Sequence, residues 1–509
     1  MFSKPLASNF NTEVMIGSSS QRFYRLSLLV VLFCTSSTAL SQTDNYWSWN
    51  FNTPSVLLAG SVVGGNAGAS SVFYNPSLID NDSIPSLSVT ANVISLQFLS
   101  AENIAGAGLD ADKFIFKVQP RFVSYVFPTR NERIGVEAAF LSPVSEEVNF
   151  TAQYEDELEI INRTQGLEVY EGYLKYSRRY DDYYVGAGLS YTVSEKISVG
   201  LSSFLSIKTM RYIYQQDAQA YQNTDSVFVG DSKEARYIAE SNLKEELKYW
   251  DLSLVFKVGA QYKTLENRLN FGLNLTFPNL PIYGEGDIRK SYVRSNVFNN
   301  EANQFTSNER NLGFEEKVRT TVKTPFSAAF GIQYFTKSRR NFVSLTAEYF
   351  SEIDPYRIVS LSDPETSQNL INISSPFYSA EARSLTNFGV GFKQIISPKW
   401  FILGGFRTDF TVAPESESQI AFSSDRLNRI NLDKYHFSAG PVFTIQRFRV
   451  ITGIQYTYGR NGGIEQLVSF SDPIEYIANL DQSLLGVKDR SARTSLNEIS
   501  LFLGVTVDL

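Results

Sequence analysis

Large apolar side chains alternate with small or polar ones along most of this chain. In residues 268–277 the apolar set is Leu269, Phe271, Leu273, Leu275 and Phe277. A period of two is typical of a β-strand, because successive side chains point to opposite faces. The same pattern recurs from residue 87 to residue 507, so the sequence predicts an all-β fold.

Fourteen strands account for this pattern. They span 87–98, 113–127, 133–154, 168–193, 196–212, 246–262, 268–277, 318–335, 341–350, 384–394, 400–411, 433–445, 447–458 and 496–507. Several are far longer than the 5–6 residues usual in soluble sheets. Two of them, 133–154 and 168–193, combine shorter pieces, so sixteen strands is an alternative.

The links between these strands alternate in length. Tight turns follow the even-numbered strands, whereas long links such as 213–245 and 278–317 follow the odd-numbered ones. This alternation is typical of a transmembrane antiparallel β-barrel of the bacterial outer membrane. A sheet in hydrocarbon must close on itself, because every backbone N–H and C=O needs a partner. We therefore expect the bulky apolar residues to face lipid and the others to line a lumen.

An export signal precedes the strands. Arg22 and Arg25 come before the apolar run Leu26–Phe33, and small residues offer a cleavage site after Ser41. The run is too short for a membrane anchor. We therefore predict that residues 1–41 form a signal peptide and that the mature protein reaches the outer membrane of a Gram-negative bacterium.

The segment between this signal and the first strand lacks the alternating pattern. Residues 42–85 are rich in Gly, Ala and Ser, whose small side chains let backbone segments pack closely. We predict that this segment is a plug inside the lumen and that residues 86–509 form the barrel. Both termini are then expected on the periplasmic side.

Composition excludes several other classes of protein. Removal of the signal takes away three cationic side chains and one acidic one, which changes the formal net charge from −7 to −9. Nucleic-acid binding favours a basic surface instead. The only cysteine, Cys34, leaves with the signal, and His436 is the only histidine. We therefore expect no disulfide, no zinc site and no cofactor.

One histidine and one serine form a candidate catalytic pair. His436 and Ser438 lie two positions apart, and outer-membrane phospholipases place such a pair on the lipid-facing side of one strand. Here Tyr435, Phe437 and Ala439 form the apolar face, so the pair should point inward. We interpret His436 as a lumen residue and the protein as a non-enzyme.

Four stretches resemble the FadL/TodX-type family of outer-membrane transporters for long-chain fatty acids and hydrocarbons. They are "AGSVVGGNAGASSVFYNPSLI", "LSYTVSEKISVGLSS", "VKTPFSAAFGIQY" and "GFKQIISPKWFILGGFRTDF". The chain departs from the family's pattern where Ser77 replaces the usual alanine, and it has Leu509 in place of the terminal aromatic residue that is common in proteobacterial barrels. The resemblance implies a fourteen-stranded barrel with an N-terminal hatch.

Passive uptake of hydrophobic molecules such as long-chain fatty acids is the function that this resemblance implies. The candidate hatch residues are Gly64, Gly65, Asn75, Pro76 and Ser77, which would form either a movable constriction or a static plug turn.

Inward-facing cations are the candidate ligand-binding groups. They are Lys257, Arg407, Arg447 and Arg449. Such cations would hold a fatty carboxylate through charge-assisted hydrogen bonds, or would belong to a salt-bridge network across the lumen.

Two further hypotheses concern partners. A plugged barrel with long external links is also consistent with a non-catalytic subunit of an outer-membrane secretion or assembly complex. The acidic run Glu155–Glu159 is either a solvated loop or a site for cations that bridge lipopolysaccharide. The expected surroundings are outer-membrane lipid and lipopolysaccharide, the expected ligand is a hydrophobic small molecule, and no nucleic acid is expected.

Overall fold

The structure is a computed structural model of the chain. It describes residues 44–48, 51–65, 67–79, 85–161, 167–222, 228–229, 232–233, 238–338, 340–360, 378–413, 427 and 429–509. The predicted signal peptide, 1–41, lies outside the described residues.

Fourteen antiparallel strands of the described chain form one closed wall. They are β1 (Ser86–Glu102), β2 (Ala111–Phe127), β3 (Ile134–Leu158), β4 (Glu168–Ser194), β5 (Ile197–Gln222), β6 (Ile238–Thr264), β7 (Leu269–Thr276), β8 (Ser327–Phe335), β9 (Phe342–Phe350), β10 (Leu385–Ser397), β11 (Trp400–Asp409), β12 (Asp433–Ile445), β13 (Phe448–Ile464) and β14 (Ala492–Asp508). Each strand pairs with the next, and β14 pairs back with β1. The prediction of a fourteen-stranded barrel is confirmed, and the alternative of sixteen strands is wrong.

The alternating side chains divide between the two faces of this wall. In β7, Leu273 is exposed on the outside, whereas Asn270 and Asn274 are buried on the inside. The same division holds in β14, where Leu501 and Leu503 are exposed and Ser500 is buried. A membrane-spanning barrel requires an apolar outer face, and this is the face that carries the large apolar residues.

Four strands extend well beyond the height needed to span the membrane. β3, β4, β5 and β6 contain 25, 27, 26 and 27 residues, whereas a tilted strand crosses a bilayer with about 9–11. Two extension strands, Leu280–Ser295 and Glu309–Thr320, continue this part of the sheet. The first extension strand pairs with the upper half of β6, and the second pairs with the first.

These strands correct part of the sequence-based interpretation. Residues 278–317 and 213–245 were expected to be long loops, but much of both segments is strand. The predicted eighth strand, 318–335, is also divided between the second extension strand and β8. Outside the membrane no apolar face is required, so the alternation that identifies the other strands is weak here.

The remaining short strands lie in the long links. They are Phe228–Val229, Ser232–Lys233, Phe298–Asn299, Gln304–Phe305, Ile353–Arg357, Val359–Ser360, Ser379–Ala382, Ile474–Ile477 and Gln482–Leu485. Among the described residues, no helix has the length and apolar character needed to cross a membrane.

The segment before β1 lies inside the lumen, where it packs against wall residues near the short turns. It contains two short α-helices, α1 (Thr53–Leu57) and α2 (Ser71–Tyr74), and two 3-10 turns, Gly68–Ser70 and Pro76–Leu78. Its aromatic side chains pack on one another and on the wall, as where the ring of Phe51 lies 5.9 Å from that of Phe122 on β2. The expectation of a lumen plug is confirmed.

A second apolar core closes the lumen above the plug. Tyrosines of the long strands meet the segments that follow β13, where Tyr170 donates a 2.7 Å hydrogen bond to the carbonyl of Leu484. Tyr214 donates to the carbonyl of Leu467 at 3.0 Å. The described links after β13 therefore fold inward over the barrel instead of standing free in solvent.

Candidate functional site

Two buried carboxylates of the wall hold the beginning of the plug. Trp47 donates its indole N–H to Glu348 on β9 at 2.7 Å and its backbone N–H to Asp409 on β11, also at 2.7 Å. Ser48 donates its hydroxyl to the second oxygen of Asp409 at 2.7 Å. All these contacts are charge-assisted, which makes them stronger than neutral hydrogen bonds.

Asp44 provides a further attachment of the plug. Its carboxylate forms a buried ion pair with Arg178 on β4, and its carbonyl accepts the N–H of Val412. Asn45 donates its amide to the carbonyls of Asp409 and Leu432. The plug is thus bound to opposite sides of the wall by polar groups, in a lumen where breaking them leaves buried groups unpaired.

The predicted hatch element lies directly against the wall. The Asn75 side chain accepts the backbone N–H and hydroxyl of Ser77, which caps the Pro76–Leu78 turn. Its amide donates to the carbonyls of Val63 and Ala260, the latter on β6.

Two wall glycines make this contact possible. A side chain at Gly200 of β5 would collide with the backbone of Pro76, and one at Gly259 of β6 would collide with the carboxamide of Asn75. Glycine lets another backbone approach closely, so these inward positions are matched to the hatch element.

The predicted residues Gly64 and Gly65 lie at a second close approach. A side chain at Gly64 would come within 2.9 Å of the backbone of Gly331 and Ile332 on β8. Gly65 has a positive φ of +158° and lies beside the side chain of Gln333. All five candidate hatch residues therefore contact β5, β6 or β8. The alternating pattern places these wall glycines on the lumen side, but it does not show that they contact the hatch element.

Above the hatch element lies a cavity of about 70 Å³, which we call the mid-lumen cavity. Its aromatic lining is formed by Tyr46, Phe73, Tyr180, Tyr184 and Phe350. Its charged lining is formed by Asp182, Lys208, Lys257, Lys323 and Glu348. The cavity therefore combines an aromatic wall with a few buried charges, as small-molecule sites commonly do.

Lys257 is the predicted ligand-binding cation that this cavity contains. Its ammonium lies 4.0 Å from the ring centre of Phe73 and donates to the Thr276 hydroxyl at 3.1 Å. The nearby carboxylate of Glu348 is already occupied by Trp47 and by Ser327, whose hydroxyl donates at 2.6 Å. The Lys257 charge is thus only partly compensated by neighbouring groups.

Arg407 points inward but lies outside this cavity. It is fully buried on β11, within electrostatic range of Tyr74 and Asp409. Burial raises the pKa of the Tyr74 phenol well above its usual value, so this plug residue stays neutral. Arg407 therefore belongs to the contact between plug and wall.

The lumen position expected for Arg447 and Arg449 is wrong. Arg447 is exposed in the turn between β12 and β13, and Arg449 is 47% exposed at the rim, 3.0 Å from Asp508. The alternation predicts which face Arg449 is on but not its height in the wall. Neither residue reaches the mid-lumen cavity.

His436 and Ser438 both point inward, as the sequence predicts. His436 contacts the hydroxyl of Thr457 at 2.8 Å, and its other ring nitrogen lies 3.6 Å from Asp409. Ser438 donates instead to the plug carbonyls of Val56 and Leu57. The lipid-facing arrangement required of a phospholipase pair is therefore not met.

A second cavity, also of about 70 Å³, has a mostly polar lining and lies beside the first described residues of the plug. Ion pairs surround it: Lys434 lies 3.5 Å from Glu146, and Lys117 lies 3.6 Å from Glu147. We call it the polar chamber. Within the described part of the chain, no cluster of three or more His, Cys, Asp or Glu side chains is arranged to hold a metal ion.

The wall has a gap between β2 and β3. The hydrogen-bonded ladder between the two strands ends at the pair Phe122–Leu141. Beyond that pair, residues 111–121 of β2 and 142–158 of β3 have no ladder partner across the gap in the described part of the chain. Pro143 lies at this point, and proline has no N–H to donate to a ladder. Pro143 and Val144 also line the mid-lumen cavity, so the gap and the cavity adjoin.

Closure, apolar outer face and filled lumen together define a plugged fourteen-stranded transmembrane β-barrel. No protein-family model matches the sequence, and no curated protein matches it. Solved structures do match. A FadL homologue of Pseudomonas aeruginosa superposes with a TM-score of 0.52 at 14% identity, covering 92% of this chain and 99% of that one.

Two hydrocarbon channels match similarly. The Pseudomonas putida toluene transporter TodX gives a TM-score of 0.52 at 12% identity, with coverage of 92% of this chain and 100% of that one. The CymD monoaromatic hydrocarbon channel gives 0.50 at 12% identity, with coverage of 90% and 98%. The chain therefore has the fold of the FadL/TodX-type barrels, as its sequence motifs predict.

Proposed function

We propose that this protein is an outer-membrane channel for the passive uptake of hydrophobic small molecules. The observation that supports the proposal most is the position of the mid-lumen cavity. It lies above the hatch element and behind the gap between β2 and β3, and its lining combines aromatic and charged side chains. An apolar molecule that enters the cavity would gain about 25 cal/mol of favourable free energy for each Å² of apolar surface that it buries.

The route begins at the long-link side of the barrel, where the apolar core above the plug has to open to admit a ligand. An apolar molecule passes into the mid-lumen cavity and leaves through the gap or past the hatch element when the Asn75-Pro76-Ser77 turn moves from the wall. The unpaired edges of β2 and β3 support an opening, because unpaired backbone at membrane depth is tolerated only along a cavity or buried in protein.

A fatty carboxylate fits the chemistry of this cavity. Lys257 lies at one side with an ammonium that neighbouring acids compensate only partly, and the aromatic wall suits an apolar body. Two of the solved structures that share this fold are a toluene transporter and a monoaromatic hydrocarbon channel. We therefore propose hydrophobic molecules as the ligand class and long-chain fatty acids as its charged members.

The remaining parts of the proposal follow from this role. Residues 1–41 direct export, residues 42–85 form the plug, and both termini lie in the periplasm. No covalent step is needed, so the protein is not an enzyme and requires no cofactor. Outer-membrane lipid and lipopolysaccharide surround the apolar outer face.

Uptake of labelled palmitate by host cells that lack their own fatty-acid channel tests the proposal. Cells producing this protein are expected to take up palmitate and toluene faster than cells producing an unrelated porin of similar abundance. Equal rates for the two cell lines would refute the proposed function.

A second candidate function is a role as a non-catalytic subunit of an outer-membrane complex. The polar chamber favours it, since a lumen occupied by charged pairs and a fixed plug suits a structural barrel. Native mass spectrometry of the detergent-extracted protein separates the two functions. Retained lipid or fatty acid supports transport, whereas a stoichiometric protein subunit supports assembly.

A further inference from the structure

The wall has a second interruption, far along the sheet from the first. The ladder between β7 and β8 ends at the pair Thr276–Ser327. Pairing resumes only between the two extension strands, at Glu285–Arg319. We call the interval between these two pairs the seam; its borders are residues 277–284 and 320–326.

Side chains replace the missing ladder within the seam. The buried Asn279 donates its amide to the carbonyl of Val322 at 2.8 Å and accepts the N–H of Thr324 at 2.6 Å. Asp251 of β6 accepts the N–H of Val322 at 3.2 Å. One carboxamide and one carboxylate therefore form the hydrogen bonds that a continuous backbone ladder forms elsewhere in the wall. Rotation of these two side chains is enough to break the hydrogen bonds.

The outer side of the seam carries the features of a lipid-facing surface. Leu280, Ile282 and Tyr283 are 45%, 52% and 53% exposed. The Tyr283 ring lies 5.3 Å from that of Trp250, and both side chains donate to Glu285. Tyr and Trp are enriched where a barrel meets the membrane–water interface. The seam thus lies at the level where the outer leaflet begins.

The inner side of the seam is part of the wall of the mid-lumen cavity. Thr276, Lys323, Thr324, Pro325 and Ser327 all line that cavity. Three sets of contacts separate these residues from the apolar outer surface: the groups bridged by Asn279, the contact of Asp251 with Val322, and the edge-to-face rings of Phe277 and Phe326. A molecule crossing here would move between lipid and cavity without passing the plug.

We propose that the seam is a second lateral opening, through which apolar ligands exchange between the mid-lumen cavity and the outer leaflet. It is distinct from the gap between β2 and β3, and Asn279 is its closing side chain. The inference rests on the proposed channel function.

A disulfide across the seam tests this opening. The double variant Asn279→Cys with Thr324→Cys joins the two borders, and the chain has no other cysteine once the predicted signal is removed. Palmitate uptake is measured with the pair oxidised and then reduced, so each preparation is its own control. Heat-modified mobility on gels verifies that both forms are folded barrels.

The proposal predicts that oxidation lowers the initial palmitate uptake rate at least threefold and that reduction restores it. In a second variant, Asn279→Ala, uptake should be faster than in the unaltered protein, because both bridging contacts are lost. Palmitate with a terminal diazirine should also label Thr324 or Pro325 when it is photolysed in vesicles.

Three outcomes separate the possible failures. In the first outcome, the oxidised and reduced pairs take up palmitate equally, and uptake is lost when Lys117→Cys and Glu147→Cys are bridged by a short bis-maleimide. This result overturns the second opening but keeps the channel. Labelling confined to lipid-facing residues such as Ile282 also overturns it. No uptake by the unaltered protein overturns the channel and the opening together.

Discussion

Trp47 of the plug and Glu348 of β9 are joined by a 2.7 Å hydrogen bond between the indole N–H and a carboxylate oxygen. Both side chains are buried, and Ser327 donates to the other carboxylate oxygen at 2.6 Å. This contact links the first described residues of the plug to a strand that borders the mid-lumen cavity. The plug and the candidate ligand site therefore share a carboxylate.

Trp47→Phe should loosen the plug without unfolding the barrel. The variant keeps an aromatic ring but leaves one oxygen of a buried carboxylate unpaired, at a cost of about 1–3 kcal/mol. Hydrogen exchange followed by mass spectrometry should show faster exchange in residues 51–65. Trp400→Phe, on the outer face, is the matched control. Unchanged exchange in the plug would show that the hydrogen bond does not hold it.

Gly200→Ala should displace the hatch element from the wall. The added methyl group would overlap the backbone of Pro76, and overpacking of this kind costs about 1–3 kcal/mol. Residues 71–79 should exchange amide hydrogens at least tenfold faster than in the unaltered protein. Gly462→Ala is the control, since its methyl group would lie at an ordinary 3.6 Å from the Arg493 side chain. The prediction fails if both variants behave alike.

Lys257→Met should weaken binding of fatty carboxylates but not of neutral hydrocarbons. The change keeps most of the side-chain volume and removes the ammonium. A hydrogen bond to a charged group contributes about 1.5–3 kcal/mol, so the Kd for palmitate should rise roughly 10- to 100-fold. Calorimetry with palmitate and with an alkylbenzene measures the Kd of each ligand.

The control for that experiment is Lys263→Met, on the same strand and beyond the residues that line the cavity. A similar loss of binding affinity for both ligands, or in both variants, would show that Lys257 supports the structure of the lumen and does not recognise the carboxylate.

Leu273→Lys and Leu312→Lys should differ in their effect on stability. Both leucines are exposed on the outer face, but Leu273 lies in β7 and Leu312 in the second extension strand. A lysine near the bilayer midplane costs about 2–4 kcal/mol, whereas a solvated surface change usually costs less than about 0.5 kcal/mol. Urea unfolding in lipid vesicles should show this difference. Equal effects would place the extension strand in the membrane as well.

The sequence predicts most of the wall because the membrane imposes a simple rule. In β7 and β14 every second side chain is apolar, since that face contacts hydrocarbon. The extension strand Leu280–Ser295 escapes prediction because most of it lies beyond the membrane, where Glu285 and Asp287 are tolerated on a sheet.

Other features depend on contacts between distant parts of the chain. The period of two correctly predicts that Arg449 is on the inner face of the wall. It does not predict how far along the barrel axis the residue lies, because the stagger of neighbouring strands sets that position. The seam and the gap beside Pro143 are interruptions of strand pairing, and no local pattern records which strands fail to pair. The plug contacts at Gly200 and Gly259 likewise appear only when the plug is inside the barrel.

Oxygen collision rates of spin labels along β7 measure the main claim most directly. Single cysteines are introduced at residues 271–275 of the mature protein, labelled, and reconstituted in vesicles. Labels at 271, 273 and 275 should collide with membrane-dissolved oxygen much more often than labels at 272 and 274. Uniform collision rates along these five positions would contradict a barrel whose alternate side chains face lipid.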